Sequence, residues 1–335
     1  MVNFGISFTP NKPANDWVKL AKIAEDLGIK YVWVADESPS PPFRDAFVTL
    51  TAIALQTKIV QLGTCICNPY SRHPAQLGVS ILSLDEISNG RIILGLGPGG
   101  SLPLQPLGIE RHEPVKTVRA AVESLRKLFR GEEVTYEGEI FKLRNVKLFA
   151  TPRRKIPIYL AARGPRMLEL VGEIADGGLL SVLPPKILDK SIERIEVGAK
   201  KSGRDLRDID VAYLTRFSTS KDGEKARELV KPNVAYGVAD SPPEVIEEAG
   251  IAPEEQEEIR KALKEGGLKA AAELVTDKMI DSIAIAGTPA ECVEKSKRFL
   301  RRGVTQLIFG SPYGPDPEEA VRILCREIIP ELASS

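Results

Sequence analysis

The segment that decides the fold is Ile156-Pro-Ile-Tyr-Leu-Ala-Ala-Arg-Gly-Pro-Arg-Met-Leu-Glu-Leu-Val-Gly-Glu-Ile-Ala-Asp-Gly-Gly-Leu-Leu-Ser181. A short apolar run stops at Gly164-Pro165, an amphipathic helical pattern follows, and a second apolar run closes the segment. This order predicts a buried strand, a helix and a second strand, as in α/β proteins. Pro165 suits the first helical position, so the helix N-terminus is a candidate anion site. A plain strand-to-helix turn is the alternative.

The same alternation runs through the chain. Eight β-rich runs are predicted to be strands: Val2–Phe8, Tyr31–Ala35, Ile59–Ile66, Ile92–Leu96, Ile158–Ala161, Gly178–Ser181, Ile209–Phe217 and Gln306–Phe309. Helical spacing of apolar residues follows each of them, at Trp17–Leu27, Ala46–Leu55, Ala75–Ile87, Val115–Phe129, Pro165–Ala175, Ile187–Lys201, Pro289–Arg302 and Pro317–Ile329. Eight strands that each lead into a helix predict a closed (β/α)8 TIM barrel.

Three segments interrupt this alternation. Pro98–Pro114 is longer than a compact connection needs, and such loops are often functional. Lys221–Ile285 follows the seventh strand and holds helical patterns, including Glu254–Lys264 and Ala270–Met279, which predict a helical lid or a subunit contact. Gly131–Phe149 is typical of a hairpin on the N-terminal face. We therefore expect one TIM-barrel domain over residues 1–335, with a helical insertion at about 221–285 after strand 7.

Composition excludes several classes of function. Lys plus Arg and Asp plus Glu each number 46, so no net charge attracts the protein to nucleic acid or a membrane surface. No signal peptide or membrane span is predicted, and we expect a cytoplasmic protein. The four cysteines are too scattered for a disulfide framework, and Cys65-Ile66-Cys67 lacks the spacing usual for zinc. We predict no metal site.

In a barrel of this kind, the chemistry lies where the strands end. The residues expected at that mouth are Ser7, Asp36, Glu37, Cys65 to Asn68, Gly97 to Ser101, Arg163, Gly164, Ser181, Arg216 and Ser311 to Tyr313. They include no nucleophile–histidine pair and no cluster of carboxylates for a metal. The set therefore predicts chemistry carried by a bound cofactor.

One glycine-rich run invites a different interpretation. Gly95-Leu-Gly-Pro-Gly-Gly100 formally matches the dinucleotide fingerprint and follows a predicted strand. However, Ser101-Leu-Pro-Leu-Gln-Pro cannot open the helix that would receive a pyrophosphate, so we reject a Rossmann site. Glycines here favour the close approach of a flat ring to the backbone.

Four motifs in order resemble the bacterial-luciferase-like superfamily. They are Asn68-Pro-Tyr-Ser-Arg-His-Pro, Leu84-Asp-Glu-Ile-Ser-Asn-Gly-Arg-Ile-Ile-Leu-Gly-Leu-Gly-Pro-Gly99, Ala162-Arg-Gly-Pro-Arg-Met-Leu and Gly310-Ser-Pro-Tyr-Gly-Pro-Asp316. The resemblance runs from Phe4 to the last helix. Within the superfamily, the sequence is most similar to the methylenetetrahydromethanopterin reductases, deazaflavin-dependent enzymes of archaeal one-carbon metabolism.

The resemblance implies a barrel whose C-terminal mouth holds a flavin or the deazaflavin coenzyme F420. It implies that the ring rests on a bulge in the third strand with a non-prolyl cis peptide, here Cys65–Ile66. It also places the cofactor phosphate at Gly164, Pro165 and Arg166. The residues predicted to bind the cofactor are Asp36, Cys65, Ile66, Asn68, Gly97, Arg163, Gly164, Pro165, Arg166, Gly177 and Gly178.

The sequence departs from these reductases at the acids. Ser7 stands where the resemblance implies a glutamate that donates a proton, and Gly100 stands where it implies a second acid. Deazaflavin-dependent members commonly have Asp-His where this chain has Asp36-Glu37. Glu37 and Ser7 are therefore the catalytic candidates, although a surface ion pair is the alternative for Glu37.

Two further residues are predicted to bind substrate. They are Arg216, which adds positive charge beside Arg163 and Arg166, and Tyr313, for which an ordinary turn is the alternative. For Arg216, a solvated position at the rim is the alternative.

The resulting prediction is an F420-dependent oxidoreductase that transfers a hydride between reduced deazaflavin and a small molecule. The substrate is methylenetetrahydromethanopterin or that of a close relative. The alternatives are an FMN-dependent luciferase-like monooxygenase and a non-catalytic protein that binds flavin or deazaflavin. By analogy, we expect a homodimer or homotetramer.

Overall fold

A computed structural model describes residues 2–39, 42–100, 104–301 and 303–334. Ser101, expected at the mouth, and Arg302, the expected end of a helix, lie outside the described residues. Each of the eight predicted strands overlaps one strand of a closed parallel barrel, so the predicted barrel is confirmed. In chain order, the barrel strands are β1 (Asn3–Phe8), β2 (Tyr31–Val34), β3 (Gln61–Thr64), β4 (Ile92–Leu96), β7 (Ile158–Ala161), β8 (Gly177–Ser181), β9 (Asp210–Thr219) and β11 (Gln306–Tyr313).

Outside the barrel, the described part of the chain contains three more strands. β5 (Val134–Glu137) and β6 (Lys142–Val146) pair antiparallel and form the predicted hairpin before β7. β10 (Ala284–Gly287) pairs in parallel with the last four residues of β9. The sequence pattern had not indicated β10. The barrel itself closes through pairing of β8 with β9 and of β11 with β1.

Helices surround the barrel and continue into the insertion. Those of the outer ring are α1 (Ala14–Asp26), α2 (Ala46–Gln56), α3 (Pro74–Ser88), α4 (Pro114–Phe129), α5 (Pro165–Ile174), α6 (Pro185–Lys201), α11 (Pro289–Lys297), α12 (Pro317–Ile323) and α13 (Ile329–Ala333), with a π-helical turn, Leu324–Ile328, between the last two. Between β9 and β10 lie α7 (Gly223–Asp240), α8 (Pro243–Glu248), α9 (Pro253–Glu273) and α10 (Asp277–Ile283). Short 3₁₀ turns occur at Gln105–Leu107 and Leu206–Asp208.

Local sequence explains where several of these helices begin. Pro occupies the first turn of α3, α5, α6 and α9, where its missing N–H costs nothing. The Asp45 carboxylate caps α2 by accepting from the amides of Phe47 at 2.8 Å and Val48 at 3.0 Å. Thr288 and Glu291 form a capping box at the start of α11.

Hydrophobic residues are buried in three clusters. The largest lies between the strands and the outer helices, and a second joins the insertion helices to β10. The third fills the barrel and consists of Trp33, Ile93, Tyr159, Leu179, Ala212, Leu214 and Ile308, with Cys65 and Ile66 packed on it. Side chains therefore fill the barrel interior, and the C-terminal ends of the strands form the mouth.

Candidate active site

The mouth brings together side chains from strands that are distant in sequence. Ser7 is the second-last residue of β1, Glu37 follows β2, Cys65 follows β3, and Arg216 lies near the end of β9. The four are close enough to act on one another electrostatically. Sequence reasoning had placed all four at the mouth, and the geometry brings them together.

The bulge after β3 forms one wall. The Cys65–Ile66 peptide is cis, as predicted. The Cys67 amide donates to the Gly95 carbonyl at 3.0 Å, and the Thr64 hydroxyl donates to the same carbonyl at 2.8 Å. A Cβ on Gly95 would lie 1.9 Å from the Thr64 carbonyl oxygen, so only glycine allows β4 to approach the bulge.

Two predicted cofactor-binding residues complete this wall. The Asn68 Oδ1 atom accepts from the amides of Tyr70 at 3.1 Å and Ser71 at 2.8 Å, which fixes the turn that leads to α3. A Cβ on Gly97 would lie 2.8 Å from the Ile66 side chain. Gly97 thus packs against Ile66 of the bulge, and Asn68 follows the bulge directly in sequence.

Asp36 forms a bidentate ion pair with Arg72. Arg72 donates to its two carboxylate oxygens from Nε at 2.6 Å and Nη2 at 2.8 Å, and also to Asp45 at 2.7 Å. The guanidinium lies over the Phe47 ring, 4.7 Å from its centroid. The Asp36 side chain is only 3% exposed. Its predicted contact with a cofactor remains a prediction, while the ion pair ties the end of β2 to the turn before α3. Sequence reasoning had not singled out Arg72.

Glu37 is half-buried and forms no hydrogen bond or ion pair within the described ranges. Burial raises the pKa of its carboxyl, and the nearby carboxylates of Asp36 and Asp240 raise this pKa further, while the Arg216 guanidinium lowers it. The net direction is upward. A carboxyl in this state holds its proton to higher pH than an exposed glutamate, so Glu37 can donate a proton.

Arg216 lies directly above the packed interior. Ala212 and Leu214 of β9 point into the barrel, and strand alternation points Arg216 the same way. Its Nε is buried and has no hydrogen-bond partner within the described part of the chain. Burial lowers its pKa, and the carboxyl of Glu37 raises it. Because a buried donor without an acceptor is costly, this group is poised to bind a ligand oxygen.

Ser7 and Cys65 lie near Glu37 and Arg216 at the base of the mouth. Burial raises the pKa of the Cys65 thiol to about 12, and a hydrogen bond with the Ser7 side chain lowers it slightly. The thiol is therefore not ionised at neutral pH, and Cys65 acts as a packing group. Ser7 is 5% exposed and offers a hydroxyl but no acid.

Tyr313 has a different position from that expected for a substrate-binding residue. Its side chain is completely buried, and its hydroxyl donates to the Ser7 carbonyl at 2.7 Å. The ring packs edge-on against Phe8. Tyr313 thus packs against the end of β1, and its hydroxyl proton is already used in the hydrogen bond to Ser7.

Gly177 and Gly178 require a correction. They begin β8, so they lie at the opposite end of the barrel from the mouth. A Cβ on Gly177 would lie 2.6 Å from the Tyr159 ring, and one on Gly178 would meet Val171 and Ile195 of the outer helices. These glycines are required by packing, and the prediction that they bind cofactor is wrong.

The predicted anion site lies at the start of α5. Gly164 is the residue before the helix, Pro165 is its first residue, and no side chain caps this end. Gly164 and Arg166 are exposed, and a Cβ on Gly164 would meet nothing within 4 Å. Amides at an open helix N-terminus attract an anion. Arg163 precedes this site, and its Nη1 donates to the Asp240 carboxylate at 2.7 Å.

Two residues of the insertion reach the mouth, and sequence reasoning had missed both. Asp240, at the end of α7, binds Arg163, and Tyr236 lies one turn earlier. The hydroxyl of Tyr236 is close to Glu37, Asp240, Arg216 and Arg163. The only available signal was their spacing of four residues, which puts both side chains on one helix face.

This arrangement can now be compared with known proteins. The family model described as luciferase-like monooxygenase matches residues 2–306. The chain belongs to this family. The resemblance indicated by the four motifs is therefore confirmed.

Two curated relatives match almost the entire chain. The 5,10-methylenetetrahydromethanopterin reductase of Methanolobus tindarius is 40% identical over 98% of this chain and 100% of the relative. The protein of the same name from Archaeoglobus fulgidus is 38% identical over 99% of this chain and 100% of the relative. Among solved structures, the coenzyme F420 dependent tetrahydromethanopterin reductase from Methanopyrus kandleri has a TM-score of 0.91 and 37% identity, covering 98% of this chain and 99% of that one.

In the described part of the chain, no helix is both long and apolar enough to cross a membrane.

Proposed function

We propose that this protein is an F420-dependent oxidoreductase that reduces the methylene group of methylenetetrahydromethanopterin. The observation that carries the proposal is the full-length similarity to reductases of that name, at 40% identity over 98% of the chain. The proposal includes F420 because the similar structure from Methanopyrus kandleri is of an F420-dependent enzyme. The chemistry of the mouth agrees with both parts.

The residues present fit a flat ring with an anionic tail. The bulge at Ile66, packed against Gly97, can back a ring, with Asn68 next to it in sequence, and the uncapped start of α5 at Gly164 can receive a phosphate. Arg166 stands exposed at that helix end and adds positive charge. We propose that these groups hold F420 across β3, β4 and β7.

When bound, reduced F420 supplies a hydride. In the substrate, a methylene carbon bridges two nitrogens. Its reduction to a methyl group adds a hydride to that carbon, breaks one C–N bond and requires a proton on the released nitrogen. This protein must therefore orient the substrate, exclude water and provide one proton.

We propose Glu37 as the proton donor. In the described mouth, the carboxylates of Asp36 and Asp240 are already bound by Arg72 and Arg163, so neither is a free acid. Ser7 and Gly100 carry no carboxyl at the two places where the resemblance implies acids. Glu37 remains, and its raised pKa lets it hold its proton to a higher pH than an exposed glutamate does. Ser7 then has the role of a small floor residue that leaves room for the substrate.

The test is a direct assay. Purified protein is mixed, without oxygen, with reduced F420 and methylenetetrahydromethanopterin, and the appearance of oxidised F420 and of the methyl product is measured. Turnover of both in equal amounts supports the proposal. Binding of F420 without turnover would favour a non-catalytic binding protein. Oxygen-dependent turnover with reduced FMN in place of F420 would favour a monooxygenase.

We also propose that the protein is a cytoplasmic homodimer or homotetramer. The four cysteines are all free thiols, as is usual in a reducing compartment. An apolar strip on the outer helix α2 supports assembly: Val48 is 67% exposed and Leu55 is 66% exposed. A helix that is apolar on both its inner and outer faces is normally covered by another surface, and we propose a second copy of the chain.

A further inference from the structure

The insertion helix α7 presents a polar face to the mouth. Tyr236 and Asp240 are four residues apart and share one side of the helix. Arg163, at the end of β7, fixes this side by donating to the Asp240 carboxylate at 2.7 Å and to its backbone carbonyl at 3.1 Å. The half-buried side chain of Tyr236 is therefore held beside the ends of the barrel strands.

Charged groups from four elements surround the Tyr236 hydroxyl. Glu37 comes from the end of β2, Arg216 from β9, Arg163 from the end of β7, and Asp240 from α7 itself. In the described part of the protein, no hydrogen bond joins the Tyr236 hydroxyl to Glu37 or Arg216, and the buried Nε of Arg216 lacks an acceptor. Buried polar groups are normally paired, so these side chains have hydrogen-bonding capacity that a polar ligand can satisfy.

These side chains lie beside the groups proposed for the cofactor. The bulge, Gly97 and the start of α5 belong to β3, β4 and β7, whereas Glu37 follows β2, the neighbour of β3, and Arg216 lies on β9, two strands from β7. Both sets of groups are at the mouth, so a second molecule held by Glu37, Arg216 and Tyr236 would lie next to a ring bound against the bulge.

We propose that Tyr236 is a substrate-positioning residue whose hydroxyl donates a hydrogen bond to the polar edge of a pterin, opposite the acid Glu37. This inference rests on the proposed function. A pterin edge carries carbonyl and ring-nitrogen acceptors, which match a phenol donor. Burial raises the pKa of Tyr236, and the carboxyls of Glu37 and Asp240 raise it further, so the hydroxyl keeps its proton.

The decisive variant is Tyr236→Phe, which removes the hydroxyl and keeps the ring. We expect the KM for methylenetetrahydromethanopterin to rise about tenfold, the change that corresponds to one lost hydrogen bond. The KM for reduced F420 should stay unchanged. Calorimetric binding of the methyl product, which involves no hydride transfer, should weaken by the same factor. Tyr136→Phe, in the antiparallel hairpin of β5 and β6 outside the barrel, is the matched control and should change none of these values.

The alternatives give different results. Equal pterin KM and equal product affinity in Tyr236→Phe and the wild type would overturn the assignment. An equal loss for both substrates, accompanied by a lower Tm, would also overturn it, because that pattern belongs to a merely structural tyrosine. If the wild type fails to turn over the pterin at all, the proposed function itself fails, and the role of Tyr236 fails with it.

Discussion

At the scale of single residues, the mouth depends on one carboxyl whose pKa is raised by burial. Glu37 shares its surroundings with Asp36, Asp240 and Arg216, but only the other two acids have a direct ion-pair partner. Burial and like charge thus separate the roles of three neighbouring carboxyl groups. Two of them hold the structure, and the third is available for chemistry.

Replacing Glu37 with Gln should remove the proton donor and keep its shape. We expect kcat to fall about a hundredfold or more, which is typical when a general acid is lost. In the wild type, the acid must be protonated, so the rate should fall as pH rises through the raised pKa of Glu37. The Glu37→Gln variant should lose this dependence. Steady-state rates across pH are the measurement, with Glu257→Gln, on exposed α9, as the control.

Tyr313→Phe should reduce stability without changing the pocket's charges. The variant leaves the buried Ser7 carbonyl without its donor, which costs about 1–3 kcal/mol of unfolding free energy. Urea unfolding measures the change. Tyr70→Phe is the matched control, because its hydroxyl donates to the His112 carbonyl at an exposed site where water replaces the donor. Equal losses in the two variants would contradict the buried role.

Some site residues could be predicted from the sequence and others could not. Glu37, Cys65 and Arg216 directly follow or end recognisable strands, so barrel geometry alone places them at the mouth. Tyr236 and Asp240 lie in an insertion whose orientation depends on contacts made far along the chain, such as Arg163 with Asp240. Gly177 was misassigned because a glycine pair is equally suited to packing under Tyr159.

At the scale of elements, two glycines should behave in opposite ways. Gly95→Ala places a methyl group 1.9 Å from the Thr64 carbonyl oxygen, so the bulge and β4 must separate. We expect a loss of several kcal/mol in unfolding free energy or failure to fold. Thermal unfolding measures this effect.

Gly164→Ala is the companion change at the start of α5. Its backbone, with φ −80° and ψ 152°, accepts alanine, and the methyl group would meet no neighbour within 4 Å. We expect unchanged or slightly higher stability, but weaker binding of F420, because the methyl group partly covers the open amides. F420 titration followed by fluorescence checks this. Unchanged affinity would argue against phosphate binding at this helix end.

The helices of the insertion show what local pattern can predict. Glu254–Lys264 and Ala270–Met279 were predicted as separate helices. Glu254–Lys264 lies within α9, whereas Ala270–Met279 covers the end of α9, the break at residues 274–276 and the start of α10. α9 continues to Glu273 through a kink at Gly267, whose φ of 71° is accessible to glycine. α7 was harder to predict because it carries Pro232 in its interior, which normally ends a helix.

At the scale of the whole molecule, the proposed assembly can be disrupted from α2. Leu55→Glu places a charge in the exposed apolar strip, so we expect a shift from dimer or tetramer toward monomer. Light scattering after size-exclusion chromatography measures the mass. Phe149→Glu, at a similarly exposed apolar residue, is the control and should leave the mass unchanged. A monomeric wild type would contradict the proposed assembly.

The extra strand β10 determines how the insertion can move. The chain leaves the barrel after β9 and returns as β10, which pairs with Arg216 to Thr219 of that same strand. A lid that opens needs one end free to move, but both ends of this insertion are attached to the same strand, β9. An outward rotation of the insertion would have to break the four β10–β9 residue pairings. The insertion is therefore held at both ends. We therefore expect α7 and Tyr236 to keep their position while ligands enter and leave past the rest of the rim.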